Sequence, residues 1–216
     1  LEEIHAELVE PRQFSPSAAA AGRRALRNAA LSLLTARGTA RDLQRLVAHY
    51  DRATNMTDQS HALFLLAASA APERERVLAD FFARWKDDHL VIDTWFSAQA
   101  ISPRASTLQR VKTLMRHPLF SLSAPNKVRA LVSNFAGMNP LQFNRPDGAG
   151  YVFLAEQVLA IDKFNPQVAS RMLGAFRSWR ALEPERRRLA RRALQSVART
   201  KGLSRDATEI VSRVLE

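Results

Sequence analysis

From one end of the chain to the other, apolar residues recur three and four positions apart, and helix start and stop residues bracket each run. No stretch sustains the strict alternation that a half-buried strand needs. Leu1, Ile4, Leu8 and Val9 form a short stripe that Pro11 ends. Ser15-Pro16 offers an N-cap and a proline at the first helical position, opening a helix through Leu26, Ala30, Leu33 and Leu34 to Gly38. Thr39 and Asp42 have capping-box spacing before Leu43, Leu46, Val47 and Tyr50. Further helices are expected under a Thr57 cap, from Pro72, from Leu90 to Ala100, from Pro103 to Met115, and from Pro125 to near Phe135 with Gly137 as the stop. The rest follow from Tyr151 to Lys163, Pro166 to Trp179, Pro184 to Lys201, and Ser204 to Leu215.

About a dozen helices on short connections imply an all-α fold, an irregular HEAT- or armadillo-like superhelix of paired antiparallel helices. Each pair then buries its apolar face against its neighbours. No fixed-period repeat is visible, hence the irregularity. The longest interruption, Gly137 to Gly150, also carries Met138, Leu141 and Phe143, so it reads as an ordered loop inside one helical domain spanning residues 1–216.

Composition removes several classes of chemistry. The absence of cysteine excludes disulfides, thiolate nucleophiles and thiolate metal sites, and fits a reducing cytoplasm. No apolar run approaches the roughly 18 residues that span a bilayer. The net charge of +11 is concentrated: from Arg171 to Lys201 ten basic residues face two acids, Glu183 and Glu185. The Arg186–Arg192 stretch has the charge to grip phosphates, which makes a helical-repeat nucleic-acid module one alternative. A solvated helix face explains it more simply, with Leu189, Ala193, Leu194 and Val197 beneath. The aromatics Phe81, Phe82, Trp85, Trp95 and Phe96 lie far from those arginines and read as core, whereas single-strand readers interleave the two.

No catalytic constellation emerges. The five histidines (His5, His49, His61, His89 and His117) include no HExxH pair, and no two fall within ten residues. There is no phosphate-cradling glycine loop and no Gly-x-Ser-x-Gly elbow. Asp87-Asp88-His89 sits at a helix start, where capping accounts for it.

Several ordered stretches nevertheless resemble one family. They are Ala53-Thr-Asn-Met-Thr-Asp58, Arg84-Trp85, Leu90-Val-Ile-Asp-Thr-Trp-Phe96, Ala100-Ile-Ser-Pro103 and His117-Pro-Leu-Phe120. Pro125-Asn-Lys-Val-Arg129, Asn134-Phe-Ala-Gly137, Asn139-Pro140, Asp147-Gly-Ala-Gly-Tyr151 and Asn165-Pro-Gln-Val-Ala-Ser-Arg171 continue the series. Together, over roughly residues 50 to 180, they look like the C-terminal helical domain of bacterial aminopeptidase N, a zinc metallopeptidase. That domain is longer than 216 residues, so the resemblance implies an N-terminally truncated piece of it.

The resemblance implies a parent that removes N-terminal amino acids from peptides, with zinc and all catalytic residues in another domain. This chain is then expected to hold no catalytic or metal-ligating residue and to be inactive alone. Its implied role is to cap the catalytic domain of the same polypeptide, enclose the active-site chamber and help control peptide access. The positions matching the family's chamber-facing polar residues are Arg129, Gln167 and Arg171. Gln167 and Arg171 are four apart, hence neighbours on one helix, and an arginine fork there suits a peptide carboxylate. A protein-interaction scaffold is the remaining alternative.

Overall fold

The computed structural model describes residues 1–9 and 14–216. Among them every regular element is helical: α1 (Glu2–Glu7), α2 (Ala18–Leu34), α3 (Ala40–Arg52), α4 (Met56–Ala68), α5 (Arg74–Trp85), α6 (Val91–Ala100), α7 (Thr107–Leu114), α8 (Pro125–Val128), α9 (Asn134–Met138), α10 (Pro140–Phe143), α11 (Ala149–Asp162), α12 (Pro166–Met172), α13 (Pro184–Ala198) and α14 (Arg205–Leu215). The all-α reading therefore holds. Pro11, expected as the first stop, lies outside the described residues. None of the described helices is long and apolar enough to cross a membrane.

Two compact units divide the chain, Leu1–Ala98 and Gln99–Glu216. In the first, Leu31, Leu63, Leu66, Phe81, Ile92 and Phe96 are fully buried, so most of the aromatic stretch is core, as its spacing implied. The Trp95 indole N–H donates to the Leu78 carbonyl at 2.9 Å, which satisfies the one polar atom of that buried ring. Tyr50 does the same through its hydroxyl, 2.9 Å from Asp80.

Caps decide where the helices begin. Thr39 and Asp42 close the expected capping box in both directions, and Ser204 caps α14 by accepting from the Ala207 N–H. Asp88 accepts from the Leu90 and Val91 amides, so of the acidic pair Asp88 serves as a cap. Elsewhere the cap moves. Asn55, not Thr57, begins α4, because Asn55 has extended backbone (φ −144°, ψ 156°) and its side chain accepts from the Asp58 amide. Ser17, not Ser15, caps α2. Pro72 and Pro103 lie in the turns before α5 and α7 and not at their first positions. Gly137 does not stop a helix, since α9 continues to Met138.

In the second unit, α8 passes into α9 through a π-helical turn, Arg129–Ser133, in which the Asn134 amide bonds to the Arg129 carbonyl five residues back. The Gly137–Gly150 segment is ordered and contains α10. Asn139 caps α10 and also donates to the Ala100 and Ser102 carbonyls at 3.0 and 2.7 Å. Phe143 then packs edge-on against Tyr151 and Phe176, with centroids 5.2 and 5.5 Å away. Gly148 makes the next turn in the left-handed region (φ 69°), where glycine is at ease.

Candidate functional site

Pro125, placed where its missing N–H leaves nothing unsatisfied, starts the helix that carries Arg129 at the mouth of the π turn. Asn165 caps α12 through the Val168 amide at 3.1 Å, followed by Pro166, and α12 carries Arg171 in its last turn. These two helix starts aim the two arginines at one cavity of about 520 Å³ in the second unit. Phe143, Val168 and Met172 give it apolar surface, while Asn126, Ser133 and Ser178 add neutral polar groups. No acid lines it.

Arg129 and Arg171 are both exposed. Among the described residues neither guanidinium has an ion pair or hydrogen bond. Two cations without an ion pair give this partly apolar surface a positive charge, and guanidinium matches carboxylate geometry. Gln167 is exposed and does not line the cavity. Val168, Arg171 and Met172 form the inward stripe of α12. A rotation of about 100° per residue puts Gln167 about 40° from Arg171, on the side away from Val168 and Met172. The sequence marked Phe143 only as a packing residue and Ser133 not at all, because only the π turn and α10 bring them to the cavity.

The rim is tied to the basic helix. Arg186 donates to the Asn144 carbonyl at 2.6 Å, and the Tyr151 hydroxyl donates to the Asn144 side chain at 3.0 Å. Burial raises the Tyr151 phenol to about 12, so it remains a donor. Arg187 donates to the Leu182 carbonyl, and Arg188 pairs with Glu185 at 2.6 Å. Three of the five arginines between 186 and 192 are thus engaged locally, which weakens the phosphate-gripping reading.

Zinc meets no fitting donor set here. Among the described residues no three His, Asp or Glu side chains converge. The imidazoles of His5 and His49 approach to 3.0 Å, and His49 Nε2 lies 4.0 Å from Asp58 Oδ1. Arg27 already holds that carboxylate at 2.6 Å, so a metal there would meet a fixed cation.

Over residues 1–216 the chain matches the family described as "Domain of unknown function (DUF3458_C) ARM repeats". It is 41% identical over 215 residues to aminopeptidase N of Caulobacter vibrioides, covering 100% of this chain and 25% of that protein. To aminopeptidase N of Escherichia coli it is 37% identical over 194 residues, covering 89% and 22%. Legionella pneumophila aminopeptidase A, solved in complex with aspartic acid, has a TM-score of 0.86 at 28% identity, covering 99% of this chain and 26% of that one. The chain spans about a quarter of the length of the curated relatives it matches.

Proposed function

Since the chain belongs to the DUF3458_C family of ARM-repeat domains, we propose that it is the non-catalytic C-terminal domain of a zinc aminopeptidase. In that reading its partners are the catalytic domain of the same polypeptide and the peptide substrate. The domain caps the chamber, and the parent works in the cytoplasm. Catalysis and zinc belong to the rest of the parent, as the similarity to a quarter of aminopeptidase N supports.

One observation carries the finer assignment: Arg129 and Arg171 stand unpaired at a cavity without an acid. We assign them to the part of a peptide beyond the scissile bond, where a carboxylate is the matching charge, with Gln167 at the rim. A charge-assisted hydrogen bond is worth about 1.5–3 kcal/mol, or roughly tenfold to a hundredfold in affinity. In the full-length parent, Arg171→Ala should therefore raise KM for tri- and tetrapeptides by about tenfold or more. A single-residue reporter amide, which does not reach the arginines, should be unaffected. An equal change for both substrates would reduce Arg171 to a structural role.

A further inference from the structure

We propose that α1 is held on the N-terminal unit by a proton-sensitive clasp, the hydrogen bond between His5 Nε2 and His49 Nδ1, which opens as the medium is acidified. The bond is 3.0 Å long and joins residues 44 positions apart. α1 has no buried residue, so apolar burial contributes little to its docking. Its other anchors are polar: Arg27 Nε donates to the His5 carbonyl at 3.4 Å, and Glu2 pairs with Arg45 at 2.5 Å and Arg41 at 3.3 Å. Exposed pairs such as those of Glu2 add little. Among the described residues the imidazole pair and Arg27 are the anchors that reach the interior, and the His49 side chain is wholly buried.

The tautomers follow from the neighbours. A bond between two imidazoles needs one N–H and one lone pair. His49 Nε2 has no hydrogen-bond partner, but it faces Asp58 Oδ1 at 4.0 Å, which favours the proton on that nitrogen. Nδ1 of His49 is then the acceptor and His5 the donor. A first added proton must go to Nδ1 of His5, where Arg27 and Arg45 oppose it. A second must take Nδ1 of His49, the acceptor itself. Two cations then face each other across the bond.

Every element around the pair shares in this. Arg27 and Asn28 come from α2, Arg45 from α3, and Asp58 and His61 from α4. Asp58 favours protonation, but Arg27, Asn28 and Asn55 already engage its oxygens at 2.6, 3.0 and 3.2 Å. Burial, with Arg27, lowers His5 and takes His49 down to about 4. Release of α1 returns His5 to water and away from Arg27 and Arg45, so the docked state binds fewer protons at His5 than the released one. Docking is complete above the ordinary histidine range and weakens as pH falls below about 6.5 towards the lowered His5 value.

Hydrogen exchange at the α1 amides of the intact chain, corrected for intrinsic pH dependence, reads the clasp. The amides of Leu63 and Leu66 in α4 report global unfolding. Between about pH 7.5 and pH 5, α1 protection should fall about tenfold while α4 keeps its own. His5→Gln, at the half-exposed end of the pair, and His49→Gln should each remove that difference. The proposal is overturned if α1 protection does not change with pH, if α1 and α4 lose protection together, or if the fall persists undiminished in His5→Gln.

Discussion

A Cβ built on Gly150 would lie 2.3 Å from the carbonyl oxygen of Phe143. Nothing flexible stands there, because the obstacle is the backbone of α10. Gly150→Ala must push α10 away from α11 and disturb Phe143 and its two edge-on aromatic partners. Overpacking of this kind costs about 1–3 kcal/mol, and each kcal/mol lowers Tm by about 2–4 °C at this chain length. Thermal melts should show that loss. Gly22, inside α2 with nothing within 4 Å of the added atom, is the opposite case. Gly22→Ala should stabilise by about 0.5–1 kcal/mol.

Asn139 is almost fully buried, and its amide nitrogen serves two carbonyls while its oxygen caps α10. Asn139→Asp keeps the cap but turns a carboxylate towards the Ala100 and Ser102 oxygens. The expected loss is about 3 kcal/mol near neutral pH, read by denaturant titration of the whole chain. Asn139→Ala, which loses the cap as well, should not be milder.

Asp58 binds Arg27, Asn28 and Asn55 at once with a side chain only 1% exposed. Asp58→Asn leaves the Arg27 guanidinium largely buried without its counter-charge. Breaking such a pair on one side costs about 3–5 kcal/mol. Exchanging Arg27 as well, in Asp58→Asn with Arg27→Met, should recover part of that loss. A double variant as unstable as Asp58→Asn alone would show that the ion pair is not the cause.

Glu183 caps α13 by accepting from the Arg186 and Glu185 amides, and these bonds hold its carboxyl below the usual glutamate range. The charged form is favoured when folded, so its contribution is present above about pH 4.3 and is lost as pH falls through its lowered value. The Tm of the parent chain should exceed that of Glu183→Gln near neutrality. The two should converge once pH has fallen below the lowered Glu183 value, where the carboxyl is protonated in both states.

Features fixed by neighbouring residues could be read from the chain, and those fixed by distant ones could not. Thr39 with Asp42 and Ser204 were legible because a cap is settled within four residues. Asn55 was not, because choosing it over Thr57 depends on which residue keeps an extended backbone. Arg129 and Arg171 were reachable only through family resemblance. Their common cavity needs Phe143 and Ser133, which a π turn and a four-residue helix deliver. His5 and His49, far apart in sequence, gave no local sign of pairing.

The π turn at Arg129–Ser133 has a consequence for how this segment tolerates change in length. An α-helix closes its ring four residues back and this turn closes it five back, so the segment carries one residue more than an α-helix of the same rise. Packed helices ordinarily suffer from any deletion, because every residue beyond it rotates by about 100°. Here the loss of one residue, for instance Ala130, is absorbed by returning the turn to α geometry. Asn134 onward would stay in register while Arg129 swings away from the cavity. The excess residue thus makes this a place where a deletion would reshape the cavity before it altered folding.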